Sequence, residues 1–244
     1  MLGKLLRTAM LAGFLSGALL TVGEIVFLEP VILEAEKYEK AAAKELAAHE
    51  AAQAAAIFGV TAAIDEVAES EWEPETGWER NLFTGISNIA FAFAISLIIG
   101  AASNMLPRLN WWHGVLWGLG GYVAFFAAPG IIYPPSLPGA MEAHLVVRQL
   151  WWIATIESTL FGLAFLAFAR QHAYRAMGII LLFAPHIVGG PPGTVVNLAP
   201  DELSAQFIWI SSTLNAAFWI ALGLATTTLS YHMSHRTRSN VSPD

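Results

Sequence analysis

The chain has 244 residues, 56% of them hydrophobic and 13% charged, with a formal net charge of −7. A soluble domain carries about 25% charged residues, so this balance excludes an ordinary water-soluble enzyme, and 12 scattered Lys and Arg exclude a nucleic-acid binder. With no cysteine, disulfides and thiolate chemistry are excluded too, and a bound metal must take carboxylate, imidazole, carbonyl or thioether ligands.

The first apolar segment, 5–27, follows Lys4 and Arg7. It reads as a retained membrane span. Val22-Gly23-Glu24 is a poor cleavage site, and the apolar run continues through Ile25, Val26, Phe27 and Leu28. From Leu33 to Glu71 the chain is rich in Ala, Glu and Lys, which are strong helix formers. Glu36 and Lys40 stand at i,i+4 in the favourable order. The expectation is one or two helices rising from the first span, broken near Gly59, within an acidic extracytoplasmic loop over 33–81. Beyond Glu79 the only acids are Glu142, Glu157, Asp201, Glu202 and Asp244. Glu34, Glu36 and Glu39 therefore read as part of a cation-attracting surface, or more simply as a charged, soluble cap.

The second segment, 83–104, has no charge between Thr84 and Ser103. About 20 uncharged residues cross a hydrocarbon core of roughly 30 Å as a helix. Backbone amides find no partner in lipid, so the spanning form is a helix or a closed barrel. The third segment, 113–132, ends at Ala127-Ala128-Pro129-Gly130, followed by Tyr133-Pro134-Pro135-Ser136-Leu137-Pro138-Gly139. The fourth covers 147–169, the fifth 175–188 and the sixth 206–229. The fifth is short and holds Pro185 near its end, so a re-entrant piece and five spans is the alternative. The predicted fold is an all-α polytopic membrane bundle of six spans. With the N-terminus in the cytoplasm, six spans put Arg108, Arg170, Arg175, Arg236 and Arg238 on the same side as Lys4 and Arg7, and leave both termini cytoplasmic.

Polar groups inside a membrane are costly, so each marks a candidate site. Glu24 lies near the outer end of the first span, where it either reaches the headgroups, pairs with Arg148 or serves a pathway. Glu157 lies deep in the fourth span and is expected to face the bundle interior, bonded to Asn88 or Asn215, and as a metal ligand to line an ion passage together with Asn88. Pro129 and Pro185 each remove a backbone donor and free a carbonyl one turn earlier, as in transporter ion sites, or simply mark loop boundaries. His186, beside Pro185, is the leading imidazole, with His144 and Glu142 as further outer ligands; a lone histidine is more often a packing residue. His232 and His235 share a helix face at i,i+3 on the inner tail. His49, four residues after Glu45, is a weaker surface pair. Imidazole binds first-row metals and titrates near neutral pH. The chain has no GxxxxGK(S/T), HExxH or GxSxG pattern, so neither ATP hydrolysis by a P-loop nor an enzymatic role is expected.

Several motifs resemble one family. Val26-Phe27-Leu28-Glu29-Pro30-Val31-Ile32-Leu33-Glu34 is one. Glu79-Arg80-Asn81-Leu82-Phe83-Thr84 and Leu116-Trp117-Gly118-Leu119-Gly120-Gly121-Tyr122 follow. So do Ala128-Pro129-Gly130 with Pro134-Pro135-Ser136-Leu137-Pro138-Gly139, Arg148-Gln149-Leu150-Trp151-Trp152, Pro185-His186-Ile187-Val188-Gly189, and Pro200-Asp201-Glu202-Leu203. In this order they are similar to the CbtA family of cobalt transporter subunits. The chain departs from the family pattern at Ser136, where a glutamate is expected, and at Glu157, where a small residue is. The resemblance implies a bacterial inner-membrane subunit importing cobalt or another divalent transition metal. It implies no resident cofactor, and a small single-span, histidine-rich partner of the CbtB kind. The rival reading is a non-transporting accessory subunit of a larger membrane complex, with Trp111-Trp112 and Trp151-Trp152 as interfacial anchors against lipid.

Overall fold

The computed structural model describes residues 2–58, 74, 76–103, 110–140, 144–191 and 197–239, and these contain helices and no strand. The helices are α1 (Leu2–Gly23), α2 (Glu29–Phe58), α3 (Trp78–Ser103), α4 (Trp111–Tyr122), α5 (Ala128–Gly130), α6 (Leu145–Phe168), α7 (His172–Val188) and α8 (Asp201–Ser239). Among the described residues, four helices are long and apolar enough to cross a membrane: the one beginning at Leu2, α3, α6 and α8. α7 is apolar but shorter. α4, a π-helical turn over Val123–Ala127 and α5 run on as one helix over 111–130 without an Asp, Glu, Lys or Arg. Asn110 starts it with a capping box, its Oδ1 accepting from the His113 N–H while His113 Nδ1 accepts from its own N–H, both at 3.2 Å.

The first span does not end where the acidic segment begins. α1 continues through a π-helical turn, Glu24–Leu28, directly into α2. Residues 2–58 thus make one helix of about 85 Å at 1.5 Å per residue, far longer than a bilayer, so the acidic part projects beyond the bundle. The expected break at Gly59 lies outside the described residues. Both π turns have the same cause. Each is followed two residues on by proline, Pro30 in Glu29-Pro30 and Pro129 in Ala128-Pro129. A proline ring clashes with the carbonyl four residues back. One wider turn before it removes the clash and keeps the helix going. Glu29 N–H bonds Glu24 O, and Ala128 N–H bonds Val123 O, five residues back in each case.

Helices pack as antiparallel pairs, and glycine sets the closest contacts. A Cβ built on Gly13 would sit 2.7 Å from the Phe93 backbone, and one on Gly17 2.6 Å from the Ile89 Cα, so α1 lies directly on α3. Gly114 and Gly118 of α4 meet the α8 backbone at Gly223 and at Trp219–Ile220, and Gly162 of α6 meets Gly178 of α7. Lipid tails are as apolar as leucine, so membrane helices associate through close packing rather than burial of oil. The polarity is correspondingly inverted. Thr8, Ser96, Thr155, Thr159, Thr226 and Thr227 are buried, while Met10, Phe14, Leu15, Ile98, Leu116, Phe161 and Phe183 face outward. Ser96 and Thr226 hydroxyls bond at 2.8 Å across α3 and α8. The central apolar cluster joins Leu20, Ala92, Ile95, Ile99, Phe218, Trp219 and Leu222.

Pro185 lies inside its helix without breaking it, and the helix ends where the fifth segment was expected to end. α7 runs through it to Val188 and stops at Gly189, which has φ +82°. The carbonyl freed by Pro185 is that of Leu181, and Ser158 Oγ on α6 donates to it at 2.7 Å. The proline therefore serves α6–α7 pairing. Ser158→Ala leaves that carbonyl without its donor and is expected to cost about 1 kcal/mol, read as an earlier midpoint in denaturation by SDS in mixed micelles. The end of α7 returns to the segment after α5. Gly190 lies against Ile132 and Tyr133, and Tyr133 OH donates to Pro191 O at 2.5 Å. Tyr133 also meets Trp151 edge-on, near the start of α6.

Candidate functional site

At the end of the bundle where α2 emerges, α1, α2, α3 and the loop after α5 enclose a cleft of about 810 Å³. Its charged lining is Glu24, Glu36, Glu39, Lys40 and Arg80. Glu24 is the first residue of the π turn. The turn sets the register between α1 and α2, and so the relation of Glu24 to the pair Glu36 and Glu39, which share one helix face at i,i+3. Asn88 on α3 donates through Nδ2 to Glu24 Oε2 at 2.6 Å and to Thr21 Oγ1 at 3.2 Å. The Thr21 hydroxyl in turn donates to Gly17 O at 2.8 Å. A carboxylate at the deep end of the cleft is thus held in place by three groups in series.

Glu36 is the carboxylate that the cations hold. Arg80 NH1 bonds its Oε1 at 2.8 Å, and Lys40 Nζ lies 3.7 Å from its Oε2. The predicted i,i+4 pair exists, but the arginine 44 residues away is the closer partner. Glu34 pairs with Lys37 at 2.5 Å and does not line the cleft. The loop closes over this face. Leu137 is buried with Val31, Ala35, Ala199 and Phe207. Gly139, at φ +76°, brings the backbone so near that a Cβ there would sit 3.1 Å from the Glu39 side chain. The Pro134–Gly139 motif therefore forms a wall of the cleft, with Pro138 and Gly139 lining it.

The remaining candidates lie elsewhere. Glu24 is held by Asn88 rather than Arg148, because α1 pairs with α3 while Arg148 opens α6. Glu157 faces outward from the bundle, not inward, and neither asparagine reaches it: Asn88 is engaged at Glu24, and Asn215 donates to Ser211 O at 3.0 Å. The cause is that Thr155, Ile156 and Thr159 occupy the packed face of α6, which turns Glu157 to the other side. His144 is the exposed residue preceding α6. His186 lies in the last turn of α7, its Nδ1 buried and without a hydrogen-bond partner among the described residues. Glu142 lies outside the described residues. His232 is exposed at the far end of α8, its ring 5.6 Å from that of Tyr231; His235 follows on the same helix, its side chain outside the described part. Pro129 is buried within α5. Among the described residues, no three His, Asp or Glu side chains come together as a metal site. Sequence reasoning missed Arg80, Thr21, Pro138 and Gly139; the Glu79-Arg80 start of α3 and the Pro138-Gly139 turn were visible, but not their convergence on α2.

The arrangement sets three carboxylates and two cations around one space. Its carboxylates face a common space without the tight clustering that would trap an ion. No curated protein and no solved structure matches the chain. One family model does match, over residues 2–230, and its description is "Probable cobalt transporter subunit (CbtA)". That match, on a chain of long apolar helices with hydroxyls inside and aliphatics outside, makes this a multi-pass membrane protein and a member of the CbtA family of probable cobalt transporter subunits.

Proposed function

We propose that the chain is the membrane subunit of a divalent transition-metal import system, with cobalt as the cargo, and that the α2 end faces the extracytoplasmic side of a bacterial inner membrane. The observation that carries this reading is the acidic cleft, which runs from the projecting helix down to Glu24 and Asn88 at the bundle. A conduction site must bind well enough to admit an ion and weakly enough to release it. Three spread carboxylates, one already countered by Arg80, suit that role better than a tight metal cage. The metal is cargo here, not a resident cofactor. His144, Glu142 and His186 are proposed as further ligands on the same side, and His232 and His235 as groups that meet the ion at the cytoplasmic end.

Six crossings with both termini cytoplasmic accord with the packing. α1 pairs antiparallel with α3, α4 with α8, and α6 with α7, and the end of α7 comes back to Tyr133 and Pro191, on the side where the third helix ends. In the six-span reading the Lys and Arg of the short connections gather on the side opposite the cleft, with Arg148 at the start of α6 as the exception. Glu157, turned outward, favours a subunit that works in contact with another chain, so the accessory-subunit reading shares that observation.

The test is uptake of radioactive cobalt and nickel into liposomes containing the purified chain, alone and together with a single-span partner subunit. Saturable entry in either preparation is expected. No entry in both, with insertion and orientation verified by protease access, rejects transport and leaves the accessory role.

A further inference from the structure

Glu157 lies twelve residues from the first residue of α6 and eleven from the last, about 17 Å from either end at 1.5 Å per residue. Its side chain is far too short to reach water from there. It stands on the outward face of α6, in a stripe with Leu150, Ile153, Leu160 and Phe161, all exposed. It makes no hydrogen bond or ion pair among the described residues. α6 sits at the rim, packed on α7 and on the helix over 111–130, so one whole side of it is open.

A carboxylate directed into hydrocarbon at mid-bilayer is costly and calls for a donor. The hydroxyls beside it on α6, Thr155, Ser158 and Thr159, are spent on backbone carbonyls, and no cation of this chain stands at that depth. No Lys or Arg lies between Arg148 and Arg170, and the others stand at helix ends or beyond the membrane segments. A second copy pairing through the same face would set two ionised glutamates together, which is repulsive until one takes up a proton, whereas a cation on a different helix complements the carboxylate directly. A single polar residue in an apolar helix seam is also the device that fixes register and partner choice in paired helices. We propose that the outward face of α6 docks a membrane helix of a different subunit, and that this helix presents a Lys, Arg or His side chain to Glu157. The docking stands apart from what the assembly moves, so the uptake test and this one fail separately.

The experiment uses the full chain in phosphatidylcholine vesicles. The chain lacks cysteine, so Gly3→Cys, at a position with open space around it, gives a single dye site away from α6. The probe is a dye-labelled synthetic leucine helix of about 20 residues with one central lysine, compared with the same helix carrying leucine there. Energy transfer is expected to report association at least tenfold tighter for the lysine helix. Glu157→Leu is expected to level the two probes while leaving the melting midpoint equal or higher, because it removes a costly group from a lipid face. Equal association of both probes with the unaltered chain, or a lysine preference that survives Glu157→Leu, overturns the proposal. In native membranes, a photoreactive label on Phe161→Cys is expected to capture a span with a basic or imidazole side chain at the labelled depth. Adducts only between copies of this chain, or only with lipid, overturn it as well.

Discussion

Gly118→Leu is expected to remove the folded protein from detergent extracts. A Cβ at this position would drive into the Trp219 carbonyl and within 2.9 Å of the Ile220 Cα. These are backbone atoms of α8 and cannot rotate away. Their neighbours allow no retreat, since Gly223 of α8 is pressed on the Gly114 carbonyl one turn along. The two helices must separate along their whole contact, which also strips Trp219 and Phe218 of the central cluster. Overpacking a core typically costs 1–3 kcal/mol. Here the loss is expected at or above about 3 kcal/mol, a large part of the 5–15 kcal/mol typical of native proteins. Gly120→Ala, two residues along the same helix, is the control. Its Cβ would meet only Leu163 Cδ1, at 4.0 Å, and alanine favours the helix by about 1 kcal/mol over glycine. Size-exclusion profiles of fluorescent fusions should show the Gly118→Leu peak lost and the Gly120→Ala peak kept. Two similar peaks would mean that α4 and α8 are not held by this contact.

The contrast between those glycines marks what could be read from sequence. Long apolar runs identify membrane helices because hydropathy is a local quantity, and α3, α6 and α8 fall close to the expected segments. The helical nature of the Ala/Glu/Lys stretch is local as well. Which face a helix turns to its neighbours is not local. Gly118 and Gly120 look alike in the string, and only one meets a backbone. Glu157 was expected inward because a buried carboxylate ordinarily is, but Thr155 and Thr159 hold the packed face. The π turns were hidden for a related reason. Pro129 and Pro185 look in the string like helix interruptions or loop boundaries, whereas at Pro129, as at Pro30, the chain widens one turn and continues, and at Pro185 a serine from α6 takes up the freed carbonyl. The cleft draws on residues near positions 24–40, 74–88 and 138–139. Its acidic members were visible one by one, but their convergence depends on α1 pairing with α3 and on Leu137 anchoring the loop over α2.

Within that cleft, Glu24→Gln is the substitution expected to affect uptake most. The charged lining comprises three carboxylates and two cations, and both cations are engaged at Glu36. Glu24 and Glu39 are left to face an incoming ion, and Glu24 is the deeper, where the cleft meets the bundle. Glutamine keeps a carbonyl that can accept from Asn88 Nδ2, so the 2.6 Å contact survives in kind while the charge is lost. Cobalt entry at subsaturating concentration is expected to fall at least tenfold, which corresponds to about 1.4 kcal/mol, with an unchanged melting midpoint. Arg80→Gln works in the opposite sense. It frees Glu36 from its closer partner and should lower the half-saturating cobalt concentration, an effect that weakens with added salt because the groups are partly exposed. Opposite shifts from two charge changes in one cleft are what electrostatic collection requires. Uptake indifferent to both substitutions would place the ion path elsewhere, and would leave the carboxylates of α2 as a charged cap.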